Sequence, residues 1–598
     1  MKKMLFLLLT TVLLGLTGCL NTESDVSDDN TNTTEELPTI NILGLATSED
    51  DVNILRDQLT KSGFDVELNI QPDFGSFATQ RDAKNYDLAV TSWTTVTGNP
   101  DYAVRSLFTS DGDNSLFKDE KADALINQAA TELPVDYQQT YTELEQHIVL
   151  DEAYIAPLYI SYKAQGINQD VIDVDTVRLP RSRAAVWEQY DFNDELKRET
   201  EPLLFHQSIS TLTSLDPIKG NDGSINTLNT NMYVRLVNLT DDDSVVSDGS
   251  LSYNYAIGDG NTDYYFILRD DINFAKVEND TAVDSGELVS AEDVVFSLNR
   301  AKDRNSVPDH RTYSLHESME SIEVVTDLSE LDQTNADGTS IKDVLSEGLA
   351  SPINALVAAE DDVNNAEGNY QVVKITTAEP FPQVLNYLAH QSAGIVSKDQ
   401  LEKINTFTVE DYDVNTDIAY GDQRTVTEGN DIENSLYASG PYLLISKNDY
   451  EARFVKNPAY MPETDHEPKI NEVLVKFIQD AESALSALRN GEVHVFNGIK
   501  ENRYETVEED PSLYLQTNQS NGVTYVAMNT EEGPMTSKAL RQAVLHSIDQ
   551  EEFISFYQGN KLRAVSTVSP LVDTGLTVEH DEAQVEQLIQ DYFDNVSE

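Results

Sequence analysis

From Thr39 onward the apolar residues follow two alternating periods. Ile40, Ile42 and Leu43 predict a buried strand, Val52, Leu55 and Leu59 recur on one helical face, and Phe64, Val66, Leu68 and Ile70 alternate at period two. Ser48-Glu49-Asp50-Asp51 reads as a capping box opening that helix, and Gly63 as its stop. Strand–helix–strand order of this kind is an α/β pattern. Residues 86–93 predict a further strand running into a loop, 107–130 and 137–149 predict helices, and 155–160 is extended. A second region begins near Pro202. Leu215-Asp216-Pro217 is a turn with a helix expected from there to 239, and 253–274 has hairpin character with Asp259-Gly260 at its turn. Ser290 and Asp293 cap the next helix, 328–368 is a polar insertion or long loop, and 368–376 and 443–455 are strand-like. In the last region, 484–496 predicts a helix, a glycine stop and a strand, and 536–556 is helical. Val585, Leu588, Ile589 and Tyr592 form one face of a final helix capped by Asp581.

Composition narrows the class. At 598 residues the chain is long for one core and points to two or three domains. A formal net charge of −65 argues against nucleic acid, whose phosphates would be repelled. It fits a solvated acidic surface, with a preference for basic ligands as the alternative. Met1-Lys2-Lys3 and the short apolar run 5–16 have the pattern of a secretory signal peptide, 1–18. The run ends in Leu16-Thr17-Gly18-Cys19, which resembles a bacterial lipoprotein box, so Cys19 is expected to carry lipid. Cys19 is also the single cysteine, which excludes an intrachain disulfide. Residues 19–38 read as a disordered acidic tether reaching roughly 20–25 Å from the membrane. No second apolar stretch is long enough to span a bilayer. The expected location is the outer face of the bacterial cell membrane, lipid-anchored.

One set of motifs carries a resemblance. Phe266-Ile-Leu-Arg-Asp270, Phe274 and Ser290-Ala-Glu-Asp-Val-Val-Phe-Ser-Leu-Asn-Arg300 resemble the "F-x-L-R … A-E-D-V-x-F-S-x-x-R" signature of bacterial extracellular solute-binding proteins, family 5, the oligopeptide- and dipeptide-binding lipoproteins of ABC importers. Leu215-Asp216-Pro217, 378–396, Ser439-Gly440-Pro441-Tyr442, Asn457-Pro458-Ala459-Tyr460, 488–494 (with His494 where the family has Asp) and 540–549 resemble further family blocks, in family order. The family's C-terminal continuation resembles the other end of this chain, from Ile40 through Tyr86-Asp87, Trp93 and Asn99-Pro100. Because no block is duplicated, the order resembles a circular permutation, with 188–202 joining the old termini. The permutation would place strand 39–43 beside the end of helix 581–593.

The resemblance implies an α/β, two-lobed periplasmic-binding-protein-like fold (class II, cluster C), permuted, with an extra subdomain in the larger lobe. Residues 39–160 with 527–598 would form one lobe and 161–526 the other. It implies a lipid-anchored binding subunit of an ABC importer that traps oligopeptides by lobe closure, works as a monomer and meets permease and ATPase subunits. Alternatives are a sensor or adhesion lipoprotein on the same fold, or a member binding nickel, haem or sugar. The candidate ligand contacts are Trp93, Thr94, Thr95, Val96, Asn99, Asn221, Tyr525 and Asn529, with Trp93 open to a core role. Peptide-binding relatives often place Asp where Val96 stands. Valine cannot neutralise a buried ammonium. Another acid does so, or the amine stays in solvent, or the ligand is not a free-amine peptide.

Other chemistry finds little footing. Asp411, Asp413, Asn415 and Asp417 have the early spacing of a calcium loop, but Thr416 replaces the required glycine, and a solvated acidic loop is the expectation. No H-E-x-x-H, G-x-S-x-G or P-loop is present. The reading is therefore no enzyme, no cofactor and no metal.

Overall fold

The structure is a computed structural model describing residues 36–596 apart from 73, 113 and 431. The signal segment, Cys19 and the tether to residue 35 lie outside the described residues. Residues 38–598 form one compact unit.

An eleven-stranded sheet runs through that unit. At one end lie Val66–Gln71, Ile40–Leu45 and Leu88–Thr94, and at the other Tyr442–Lys447, Glu451–Lys456, Glu472–Phe477, Leu203–Gln207 and Val495–Asn497. Two long strands lie between these groups, Ile155–Asn168 of 14 residues and Leu513–Met528 of 16. They belong to both halves of the molecule and so divide it into two α/β lobes.

The first lobe opens with the expected unit. Ile40–Leu45 and Val66–Gln71 pair in parallel, joined by helix Glu49–Lys61, the crossover that parallel pairing requires. Gly63, at φ +94°, ends the helix as predicted. The capping box does not form. Ser48 makes no side-chain cap bond, and Asp51 turns inward to accept the Tyr159 and Tyr557 hydroxyls at 2.8 and 2.9 Å. Burial then pushes its carboxyl pKa up. The helix expected over 107–130 is two helices, Pro100–Phe108 and Glu120–Ala130, each opened by its own cap, Asn99 and Asp119.

The second lobe packs its sheet on a core holding Trp187, which meets Phe205, Tyr442 and Phe454 edge-on at centroid distances of 5.6, 5.8 and 5.1 Å. The helix expected up to 239 shrinks to Asn226–Met232. A four-stranded antiparallel sheet, Met319–Val325, Val372–Thr377, Asp263–Leu268 and Ser252–Ile257, forms a separate layer in this lobe. It carries helix Ala291–Lys302, whose capping box uses Ser290 and Asp293 as predicted. The polar stretch 328–368 has a small core of its own. Leu331, Ile341 and Leu345 are buried with Tyr265 and Ile267 of that sheet.

The family motifs meet in space. Asp216 of Leu215-Asp216-Pro217 accepts from Arg300 at 2.7 Å, and the two side chains are only 1% and 9% exposed. Asp216 Oδ1 also receives the Ile218 N–H. Gly421, at φ +80°, lies so close to the Asp216 amide that a Cβ would approach it to 2.1 Å. The final helix Glu582–Val596 packs on Lys538–Ser547, which in turn packs on Glu49–Lys61. The final helix, expected to end beside the first strand, is thus linked to that end of the sheet through Lys538–Ser547 and Glu49–Lys61.

Candidate functional site

The lobes join where the two long strands cross. Residues 155–160 pair with 523–527 inside the first lobe, and 162–168 with 513–519 inside the second. Between them the register shifts over Gln519–Val523. A bulge of this kind interrupts the ladder and re-aims the strand, which suits a hinge. Ser520 Oγ ties the bulge to the Ser161 carbonyl at 2.9 Å. Asn521 Nδ2 donates to Ser182 Oγ at 2.5 Å and to Asp243 Oδ2 at 2.7 Å, and its carbonyl receives the Thr95 N–H. Desolvation raises the pKa of Asp243, against these hydrogen bonds.

The block 93–101 of the first lobe lies along this crossing and docks on the second. Trp93 is half-buried with its ring 5.7 Å from Tyr102, and its Nε1–H has no partner. The Tyr102 hydroxyl lies near Asn221 of the second lobe, which holds its pKa back against burial. Thr94 is exposed and lies opposite Gly522. Thr95 is fully buried, and its carbonyl accepts from Ser182 Oγ at 3.3 Å. Gly98, at φ +66°, sits against Asp243 and Leu239, where a Cβ would come within 2.8 Å, so the approach of the two lobes requires glycine there. Asn99 caps its helix and reaches Asn386 at 3.4 Å, while Asn386 Nδ2 donates to the Thr97 carbonyl at 3.1 Å. The Tyr387 hydroxyl donates to Asp101 at 2.9 Å. The two lobes therefore meet through polar contacts from 97–101 to 386–387.

A cavity of about 250 Å³ lies where these surfaces meet. Val96 lines it from the first lobe, Lys163 from a hinge strand, and Arg183, Glu188, Arg235 and His390 are among its residues from the second. Burial pushes the Lys163 ammonium down to about 8, the His390 imidazole down to about 4 and the Glu188 carboxyl up. Arg235 is satisfied by the Thr230 and Tyr233 carbonyls and Asn238 Oδ1. Arg183 donates one Nη to Asp241 at 2.6 Å and leaves Nε and Nη1 buried without partners. Glu188 Oε2, Gln189 Oε1 and Gln391 Oε1 are likewise unpartnered. His390 Nδ1 receives both the Ser392 hydroxyl and the Ser392 N–H, which leaves the proton on Nε2, also without a partner. Native interiors satisfy nearly all such groups. Unpaired donors and acceptors thus gather around this cavity.

Of the candidate residues, Val96 lines the cavity, Trp93, Thr95, Asn99 and Asn221 stand at the lobe contact around it, and Thr94 faces outward beside the hinge. Tyr525 is 1% exposed in the ladder between Thr91 and Pro157. Asn529 staples a turn, donating to the Tyr86 carbonyl and accepting the Glu531 and Glu532 N–H groups. Both hold the first lobe's own backbone. Sequence reasoning did not reach Arg183, Glu188 and His390. The signal for Glu188 was its place inside Val186-Trp187-Glu188-Gln189-Tyr190, where aromatic neighbours mark a buried segment within the polar join.

A two-lobed α/β molecule with a hinged, polar cleft defines the class of extracellular solute-binding proteins. The sequence profile of the bacterial extracellular solute-binding proteins, family 5 (middle portion), matches residues 250–588, and the chain belongs to that family. It is 21% identical over 389 residues to the glutathione-binding protein GsiB of Salmonella paratyphi A, covering 64% of this chain and 60% of the relative. It is 23% identical over 357 residues to the probable ABC transporter periplasmic-binding protein SapA of Escherichia coli, covering 59% and 54%. The chain thus spans 60% or less of these two relatives. Among solved structures, DppA of Helicobacter pylori in complex with the peptide STSA aligns at 18% identity and a TM-score of 0.42, covering 67% of each chain. NikZ of Campylobacter jejuni in complex with Ni(L-His) aligns at 16% and 0.41, covering 65% and 63%. The family's members are solute-binding proteins, not enzymes.

Proposed function

We propose that this protein is the lipid-anchored extracellular binding subunit of an ABC importer and captures peptides in the cleft between its lobes. Cys19 carries the anchor, and permease and ATPase subunits are its partners. The observation that carries the reading is the cavity at the lobe contact, lined from both lobes and the hinge and rich in unpaired donors and acceptors. A peptide offers both kinds of group along its backbone. A ligand touching both lobes favours the closed population. At about 250 Å³ the cavity suits short peptides over long ones. The name of one relative, the glutathione-binding protein GsiB, agrees with this choice.

The test is incubation of the purified protein with a mixed library of di- to pentapeptides, followed by native mass spectrometry. Short peptides should remain bound, and their binding should change the emission of Trp93 at the cleft. Absence of any bound peptide, both here and in protein purified from its host, would refute the reading.

The chain order is a circular permutation of the family's in this reading. Support comes from residues 40–94, which complete the sheet begun by the profile-matched region. A chain restarted in the exposed stretch 193–199, with its present end joined to Thr39 by a long Gly/Ser linker, should fold and bind the same peptides. Failure to fold would count against permutation.

A further inference from the structure

We propose that Glu188 is the carboxylate that receives the ligand's ammonium group in this cleft. The inference rests on the peptide reading above and names a specificity residue for it. Glu188 is 5% exposed and lines the cavity, and its Oε2 has no hydrogen-bond partner. The basic side chains around it have other partners, although Arg183 keeps two free N–H groups. Arg235 spends its guanidinium on two carbonyls and Asn238, Lys163, which lines the same cavity, donates to the Pro180 carbonyl, Arg183 pairs with Asp241 through one Nη, and the His466 imidazole hydrogen-bonds Asp248. Among the described residues, none of them makes an ion pair with Glu188. A buried carboxylate without a contact cation is costly, and an ammonium in the cavity removes that cost. The first lobe contributes no competing acid to the lining, since its residue there is the neutral Val96.

The same cavity separates the poles of a zwitterion by chemistry. Arg183 Nε–H and Nη1–H and His390 Nε2–H are free donors for a carboxylate or carbonyl, whereas Glu188 Oε2 is the free carboxyl oxygen. A compact guest with an amine at one end and a carboxylate or amide carbonyl beyond it satisfies both sets.

The experiment compares Ala-Ala, N-acetyl-Ala-Ala and Ala-Ala amide, together with the tightest peptide from the library, by isothermal titration calorimetry. Wild type should bind free-amine forms and lose roughly 100-fold on N-acetylation, the scale of an unpaired buried charge. E188Q, which keeps the side-chain shape, should bind free amines at the level wild type shows for acetylated forms, with an unchanged or raised melting temperature. V96D on the E188Q background should regain amine preference, because Val96 lines the same cavity. Equal binding of free and acetylated peptide by wild type overturns the proposal without using any variant. So does undiminished amine binding by E188Q while wild type binds peptide well, and in that case the peptide reading survives. If wild type binds none of the peptides, both fall.

Discussion

Replacing Arg300 by Met strands the carboxylate of Asp216. The pair is held at 2.7 Å with side chains 9% and 1% exposed, so the remaining anion has no water to turn to. Breaking a buried pair by removing one partner costs about 3–5 kcal/mol. At 1.4 kcal/mol per decade the folded-to-unfolded ratio of this lobe should fall roughly 100- to 3000-fold. The double variant R300M/D216N leaves no charge and keeps an oxygen for the Ile218 N–H, so it should recover to within about 1–2 kcal/mol of wild type. The chain has two tryptophans, and Trp187 sits in this lobe's core. Urea unfolding followed by Trp187 emission in a W93F background therefore reports the right unit. With m near 3 kcal/mol/M, the R300M midpoint should drop by about 1–1.7 M. Because Asp216 anchors the turn leading to Asn221, the Tyr102 contact across the cleft should loosen as well. R300M melting within about 1 kcal/mol of wild type, or a double variant as weak as the single, would show that the pair is not carrying the lobe.

Two further predictions follow from buried polar groups at the hinge and cleft. His494 Nδ1 accepts the Leu204 N–H at 3.2 Å, and burial holds the imidazole at about 4, against 6.5 when free. The folded state therefore binds fewer protons than the unfolded between those values. The His494 contribution should be fully present well above pH 6.5 and decline by about 3 kcal/mol as pH falls to 4, so H494N should make thermal melts across that range less pH-dependent by that amount, leaving the slope from the other buried histidines such as His390. Y387F removes the hydroxyl bonded to Asp101 across the cleft, a contact of about 1.5–3 kcal/mol to a charged group. It should weaken peptide binding about tenfold or more in calorimetry and shift small-angle scattering toward an open shape, while the unfolding midpoint stays near wild type. Unchanged affinity and scattering would remove this contact from the closure mechanism.

Local signals read well wherever a single element satisfied itself. Ser290 with Asp293 formed its box and Gly63 ended its helix, because each needs only neighbours within a turn. The identical logic failed at Ser48–Asp51, where Tyr159 and Tyr557 offered Asp51 partners more than a hundred residues away. The polar stretch 328–368 read as a loop because its few apolar residues find their core in Tyr265 and Ile267, on strands the local pattern does not reveal.

The sequence by itself determined the two-lobed α/β class and the family, and it singled out Trp93 to Asn99 only as candidate ligand contacts. Those follow from periodicity and from motifs whose residues act locally or, like Asp216 and Arg300, meet in the fold. Only the tertiary structure decided where the cleft chemistry lies. Glu188 looked like part of a charged, solvated join, and His390 and Arg183 carried no motif. Folding the join inward behind Trp187 and closing 97–101 onto 386–387 desolvated them together. A site of unpaired charges is a property of burial, and burial is set by which distant surfaces meet.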